Sequence, residues 1–118
     1  MIVAPYPVSA NRYWRRFGES MVVSAEAKAY KRLVGLLWMQ KRYPLRSGPV
    51  HVEIGLAPRL TAKGIASKTR LDLDNCIKVA LDALNGIAYD DDSQVVSVLA
   101  RIVAPVVGGA LELEVREI

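Results

Sequence analysis

Val50, Val52, Ile54 and Leu56 alternate with His51, Glu53, Gly55 and Ala57. A period of two predicts a strand with one buried face over 50–57, and Pro58 ends it. Upstream, Tyr30, Leu33, Val34 and Leu37 recur at helical spacing behind Ser24, a good N-cap, until Pro44 forbids continuation. A helix is therefore predicted over about residues 25 to 42. A second helix is predicted over about residues 75 to 85, capped by Asp74, with Ile77, Ala80, Leu81 and Leu84 as its buried stripe and Asn85-Gly86 as its stop. Ile2–Ala4 is a brief apolar run cut off by Pro5 and Pro7, which predicts a short edge strand. Gln94–Ala104 is rich in β-branched residues, and Ala110–Val115 alternates Leu111, Leu113 and Val115 with Glu112, Glu114 and Arg116. Pro105 and Gly108-Gly109 turn the chain between these two, predicting an antiparallel hairpin. The order β-α-β-α-β-β puts the chain in the α/β (α+β) class, a two-layer sandwich whose mixed β-sheet carries two helices on one face.

The chain has 118 residues, of which 52% are hydrophobic, so one core and one domain over 1–118 are expected. A domain this small leaves much of its surface uncovered and gains from pairing with a second copy. The single cysteine, Cys76, excludes an intramolecular disulfide and a cysteine-rich zinc site; placed among apolar residues of the second helix, it reads as packing. No charged-then-apolar leader and no long apolar run appears, so a soluble protein of a reducing cytoplasm with no membrane partner is expected.

The net charge of +4 conceals an asymmetry. Residues 1–70 hold thirteen Lys or Arg against Glu19, Glu26 and Glu53, whereas residues 71–118 hold three against nine acids. Cations gathered in one part neutralise phosphates, and carboxylates gathered in the other would repel a polyanion unless they hold metal.

Two acidic groups stand out. In Arg70-Leu-Asp-Leu-Asp-Asn75, an extended approach to the helix would project Asp72 and Asp74 together while Leu71 and Leu73 turn inward. Close carboxylates are relieved by a shared proton or by a hard divalent cation. The same residues also suit plain capping by Asp74 with Asp72 solvated. Asp90-Asp91-Asp92-Ser93 follows the helix where the next strand begins, and by itself suits a solvated turn. Lys78 lies one turn past Asp74, on the side where a phosphate would approach, and equally within reach of Asp82.

Near the start, Asn11-Arg12-Tyr13-Trp14-Arg15-Arg16 interleaves cations with aromatics in a segment without periodicity, a composition suited to distorted or single-stranded DNA and, for the aromatics, equally to core packing. Residues 59–70, with Lys63, Lys68 and Arg70, read as a mobile basic loop. Lys28, Lys31 and Arg32 read as a solvated helix face, and His51 is assigned nothing.

These residues in this order resemble the RusA family of Holliday junction resolvases: Asn11-Arg12-Tyr13-Trp14, Val23-Ser24-Ala25-Glu26 leading into Tyr30, Asp72-Leu-Asp-Asn75 with Lys78, Asp82-Ala83-Leu84-Asn85-Gly86, and Asp91-Asp92-Ser93-Gln94-Val95. The resemblance covers nearly the whole chain, and the two aspartate motifs together are specific where either alone is not. It implies a RusA-like endonuclease domain acting as a homodimer, with four-way and other branched DNA as partner, paired nicks as product, and Mg2+ or Mn2+ as cofactor. By position it implies Asp72, Asp74 and Asp92 as catalytic metal ligands with Asp91 beside them, and Lys78 as the catalytic lysine; Asp90 is an extra acid relative to the family pattern. Asn11, Arg12, Tyr13, Trp14, Arg15, Arg16, Lys63, Lys68 and Arg70 would grip DNA. The alternative is a DNA-binding protein whose acids only cap and turn. A phosphotransferase using Asp-x-Asp fails on context, since Ser67-Lys68-Thr69-Arg70 precedes the first Asp where a buried apolar strand should run.

Overall fold

In the computed structural model, residues 1–9, 12, 14–17 and 20–118 are described, with the backbone alone at 15–17, 20 and 21. Asn11 and Tyr13 lie outside the described residues, as do the side chains of Arg15 and Arg16. The elements are β1 (Ile2–Ala4), β2 (Trp14–Phe17), β3 (Ser20–Val23), α1 (Ala25–Gln40), β4 (Val50–Ala57), α2 (Leu73–Leu84), a 3-10 turn (Asp92–Gln94), β5 (Val95–Ile102) and β6 (Ala110–Glu117). Among the described residues no helix is long and apolar enough to cross a membrane.

The expected two-layer arrangement is present. Four strands form a mixed sheet in the order β1-β6-β4-β5. Val50, Val52, Ile54 and Leu56 of β4 and Leu111, Leu113 and Val115 of β6 turn one face to the core, where Ala27, Tyr30, Val34 and Trp38 of α1 and Cys76, Val79, Ala80, Ala83 and Leu84 of α2 meet them. Leu33, expected in the α1 stripe, is instead exposed; Trp38, two helical turns beyond Tyr30, takes up the core position. The opposite sheet face is largely polar, with Val3 and Leu99 exposed on it. On that face His51 bonds Ser97 at 2.9 Å and Glu53 at 3.2 Å.

Two expectations about strands are corrected. Val95–Ile102 and Ala110–Glu117 do not form a hairpin: β5 runs parallel to β4 at the sheet edge, while β6 lies between β1 and β4, antiparallel to both. Parallel pairing needs a crossover rather than a tight turn, and α2 supplies it between β4 and β5. The N-terminal basic segment is not without structure either, since β2 and β3 pair antiparallel as a separate two-stranded sheet, Trp14 facing Val23 in register.

Helix starts are locally set. Ser24 Oγ accepts the Ala27 N–H at 3.1 Å, as a serine N-cap should. The N-cap of α2 is Asp72, not Asp74, which lies in the first turn. At the other end of α2, Lys31 Nζ reaches across from α1 to donate to the carbonyls of Asp82 and Asn85. Lys31 is thus a cap for the C-terminus of α2 rather than part of a solvated face, and burial lowers its pKa against the opposing charge of Asp82.

Candidate active site

Asp72 sits at the start of α2 with extended backbone, φ −67° and ψ 148°, and its side chain makes no capping hydrogen bond. Asp74 follows within the helix, so the extended approach ends at Asp72 and strand alternation is not what sets the direction of the Asp74 carboxylate. Both are exposed at a helix N-terminus, where unpaired N–H groups and the helix dipole favour negative charge. Leu71 packs partly against the core and anchors the approach. Its N–H donates to Tyr6 Oη at 2.8 Å, which ties the residue before Asp72 to the end of β1.

The second acidic group is held by a different device. Asp91 is the N-cap of the 3-10 turn: its carboxylate accepts the Ser93 N–H at 3.0 Å while Gln94 Oε1 accepts the N–H of Asp91 at 3.0 Å, a reciprocal capping box. Gln94 also accepts from Asp90 N–H, and its amide nitrogen donates to the carbonyls of Arg46 at 3.0 Å and Gly48 at 2.9 Å. One amide therefore fixes the acidic turn to the loop entering β4. The hydroxyl and N–H of Ser93 hold the Asp91 carboxyl below the usual carboxylate range. Asp91 has one carboxylate oxygen committed to the turn, and Asp92, the first residue of the 3-10 turn, is exposed as Asp91 is.

Tyr89 relates this turn to α2. Its ring is fully buried, and its hydroxyl donates to the Leu81 carbonyl at 2.7 Å. Burial raises its pKa, and the nearby charges of Asp92, Asp82 and Asp91 raise it further. Asp92, Asp82 and Asp91 thus all lie near the Tyr89 hydroxyl, and Asp82 lies about 12 Å along the helix from Asp74. Lys78 is exposed between them, one turn from each. Among the described residues no three His, Cys, Asp or Glu side chains form a group that could hold a metal ion. Within one chain, then, Asp72 and Asp74 share one end of α2 while Asp92 and Asp91 lie beside its later turns.

The donor set nevertheless fits a hard cation. All four aspartates are exposed oxygen donors with no thiol or imidazole among them, and Mg2+ commonly takes only one or two carboxylates and completes its octahedron with water and substrate phosphate. Cys76 is no competitor, being fully buried, with its thiol pushed up to about 11 by that burial.

Of the predicted DNA contacts, Lys63, Lys68 and Arg70 are exposed on the segment between β4 and α2. That segment is folded on itself: Ser67 N–H donates to the Arg59 carbonyl and Thr61 N–H to that of Ile65, both at 2.8 Å. Arg12 is exposed and paired with Glu26 through Nη2, at 2.9 and 2.7 Å to the two carboxylate oxygens. Trp14 packs partly against the core. Tyr6, Tyr89 and Gln94, which organise the site, have no chemical signature as single residues; for Gln94 alone the spacing Asp91-x-x-Gln94 signals a capping box.

The family model described as Endodeoxyribonuclease RusA matches residues 5–116. The crossover junction endodeoxyribonuclease of Enterobacteria phage HK97 is 33% identical over 122 residues, covering 98% of this chain and 92% of the phage protein. The proteins of the same description from Escherichia coli K12 and Shigella sonnei Ss046 are each 30% identical over 118 residues, with the same coverage of 98% and 92%. The match spans both aspartate motifs and all the elements that position them, and the chain belongs to the RusA endodeoxyribonuclease family.

Proposed function

We propose that the protein is a structure-specific endodeoxyribonuclease that resolves Holliday junctions and other branched DNA in recombination and repair, through Mg2+-dependent hydrolysis with Mn2+ able to substitute. The observation that carries the reading is the Asp72 carboxylate, which occupies the N-cap of α2 without capping it and so keeps its oxygens for another partner. Asp72 and Asp74 hold the cation, and Asp92 supplies the third carboxylate with Asp91 beside it. The chemistry that Mg2+ supplies when bound is Lewis acidity, which eases deprotonation of water and offsets charge on the phosphate.

The chain's own groups do the rest. Lys78 offers positive charge to the phosphate as negative charge builds on its oxygens. A water oxygen attacks phosphorus, the P–O3′ bond breaks, and the water proton ends on the departing 3′ oxygen, leaving a 5′ phosphate and a 3′ hydroxyl. Arg12, Lys63, Lys68 and Arg70 hold phosphates of the arms, with Arg15, Arg16 and the aromatics of residues 11–14 completing the grip. The active unit is a homodimer, for which the exposed apolar edge of β5, with Val96, Val98 and Leu99, offers a surface. Two sites then serve two cuts.

The test is cleavage of a labelled four-way junction beside a linear duplex of the same sequence, with Mg2+ or EDTA, by wild type and Asp74→Asn. Paired, metal-dependent cuts in the junction alone, absent in the variant, are expected. That no three side chains among the described residues form a group that could hold a metal ion leaves one other reading, a junction-binding protein without catalysis. It requires binding indifferent to Mg2+ and no cuts with any metal.

A further inference from the structure

A cleft of about 410 Å3 opens between the chain leaving β1 and the two ends of the basic segment that joins β4 to α2. Three guanidinium groups, from Arg12, Arg59 and Arg70, line it against one carboxylate, Glu26, which Arg12 already satisfies through a single nitrogen. Arg59 lies flat on the Tyr6 ring, 4.0 Å from its centroid, so its edge keeps donors for another group. Arg70 uses Nη1 on the Leu71 carbonyl at 3.1 Å and retains the rest of its fork. The remaining lining joins apolar Pro7, Val8 and Leu71 to the hydroxyls of Ser9 and Thr69.

The composition of this cleft selects its occupant. An excess of guanidinium favours a phosphate, the apolar part of the lining favours the flat face of a base, and the volume is that of a small-molecule pocket rather than of a groove for a duplex. The wall residue Leu71 is also the residue before Asp72, so whatever fills the cleft lies next to the phosphate that Asp72 would address. Resting on the nuclease reading above, the geometry points to this cleft as a receptor for a single unpaired nucleotide, drawn out of the stack at the branch point beside the scissile phosphate. Arg59 and Arg70 take its phosphate, and Val8 takes its base. Such a site reads the open centre of a junction, which a continuous duplex presents only at the cost of unstacking.

The experiment places 2-aminopurine, one position at a time, around the branch point of a four-way junction and records its fluorescence on binding of the full chain in EDTA, where no cutting intervenes. One position is expected to brighten severalfold as its base leaves the stack. Thr69→Met, an exposed position that lines the cleft, and independently Val8→Met fill the space without removing charge. Each is expected to abolish the brightening and to weaken junction binding severalfold, while linear duplex binding stays unchanged. A junction that binds with no position brightening overturns the inference, as does brightening that survives both variants. Failure of wild type to bind the junction at all removes the nuclease reading, and the receptor with it.

Discussion

Tyr6 Oη accepts the backbone N–H of Leu71 at 2.8 Å, joining the end of β1 to the residue before Asp72 across 65 positions of sequence. The same ring carries Arg59 on one side and lies against the Cα of Gly109, so the start of the basic segment, its end and the β5–β6 connection converge on one phenol. Tyr6→Phe keeps the ring and removes only the acceptor. Its expected cost in stability is about 1 kcal/mol, the usual value of one hydrogen bond. Because Asp72 is held through Leu71, cleavage should also need severalfold more Mg2+ for half-maximal rate, with junction affinity unaltered. Titrations of Mg2+ against rate, run beside gel-shift binding without metal, check this; a loss of affinity with no change in Mg2+ demand would place Tyr6 with the DNA grip instead.

The two glycines of the β5–β6 connection give a paired prediction. Gly108 and Gly109 both adopt left-handed backbone, φ 77° and 74°, which costs any other residue about 1–2 kcal/mol. A Cβ on Gly108 meets open space, whereas one on Gly109 would come within 2.5 Å of Tyr6 Cδ2. Gly108→Ala is therefore expected to cost only the backbone strain. Gly109→Ala should cost about 1–3 kcal/mol more from overpacking and, by displacing Tyr6, should reproduce the Mg2+ phenotype of Tyr6→Phe. Urea unfolding midpoints rank the two variants, and equal midpoints would mean that Tyr6 yields freely.

The elements were legible in the sequence where periodicity met a clear stop. The strand at 50–57 between prolines and the helix behind Ser24 both appear as expected because local chemistry decides them. Strand pairing was not legible, since the alternation of Leu111, Leu113 and Val115 shows which face is buried but not which neighbour bonds it. Trp14–Phe17 carries two arginines in four residues and gives no period of two, so its pairing with β3 left no trace in the pattern. At the site, Asp-x-Asp marked the right residues while the cap slipped by two positions, because either aspartate is a good N-cap. Tyr6 could not be found at all, since its role comes from three segments that meet only in the folded chain.

Alkaline conditions should expose the buried thiol. In the folded chain Cys76 holds its proton to about 11, against 9.0 for an ordinary thiol. Between these values the unfolded chain releases a proton that the folded chain keeps, so stability is flat below pH 9 with respect to this group and falls above it, by up to about 1.4 kcal/mol per pH unit. Tyr30 and Tyr89, both raised by burial, act in the same direction from about pH 10 upward, while Lys31, lowered by burial, acts in the opposite one. Comparison with Cys76→Ala isolates the thiol: the variant should be less stable at pH 8 and should lose less between pH 9 and 10. Parallel curves for the two proteins would show that Cys76 ionises as easily folded as unfolded.

The separation of Asp92 from Asp72 and Asp74 along α2 makes a prediction about how a complete site is built. Asp74→Asn and Asp92→Asn are each expected to abolish cleavage while junction binding persists, since both remove a metal ligand and neither removes a basic contact. The two inactive proteins should then be unfolded together, refolded and assayed as a mixture. A site drawn from one chain leaves every site in every dimer with one asparagine, and the mixture stays inactive. A site that takes Asp72 and Asp74 from one copy and Asp92 from the other gives each mixed dimer one doubly damaged site and one intact site. Because no three side chains among the described residues form a group that could hold a metal ion, and Asp92 lies near the Tyr89 hydroxyl that bonds Leu81 in the later part of α2, the second outcome is expected. Statistical mixing makes half the dimers mixed, so about one quarter of wild-type sites would be restored, and they would leave single nicks rather than paired cuts because each mixed dimer has one working site. An inactive mixture, with mixed dimers shown to form, would instead assign Asp72, Asp74 and Asp92 of each site to one and the same chain.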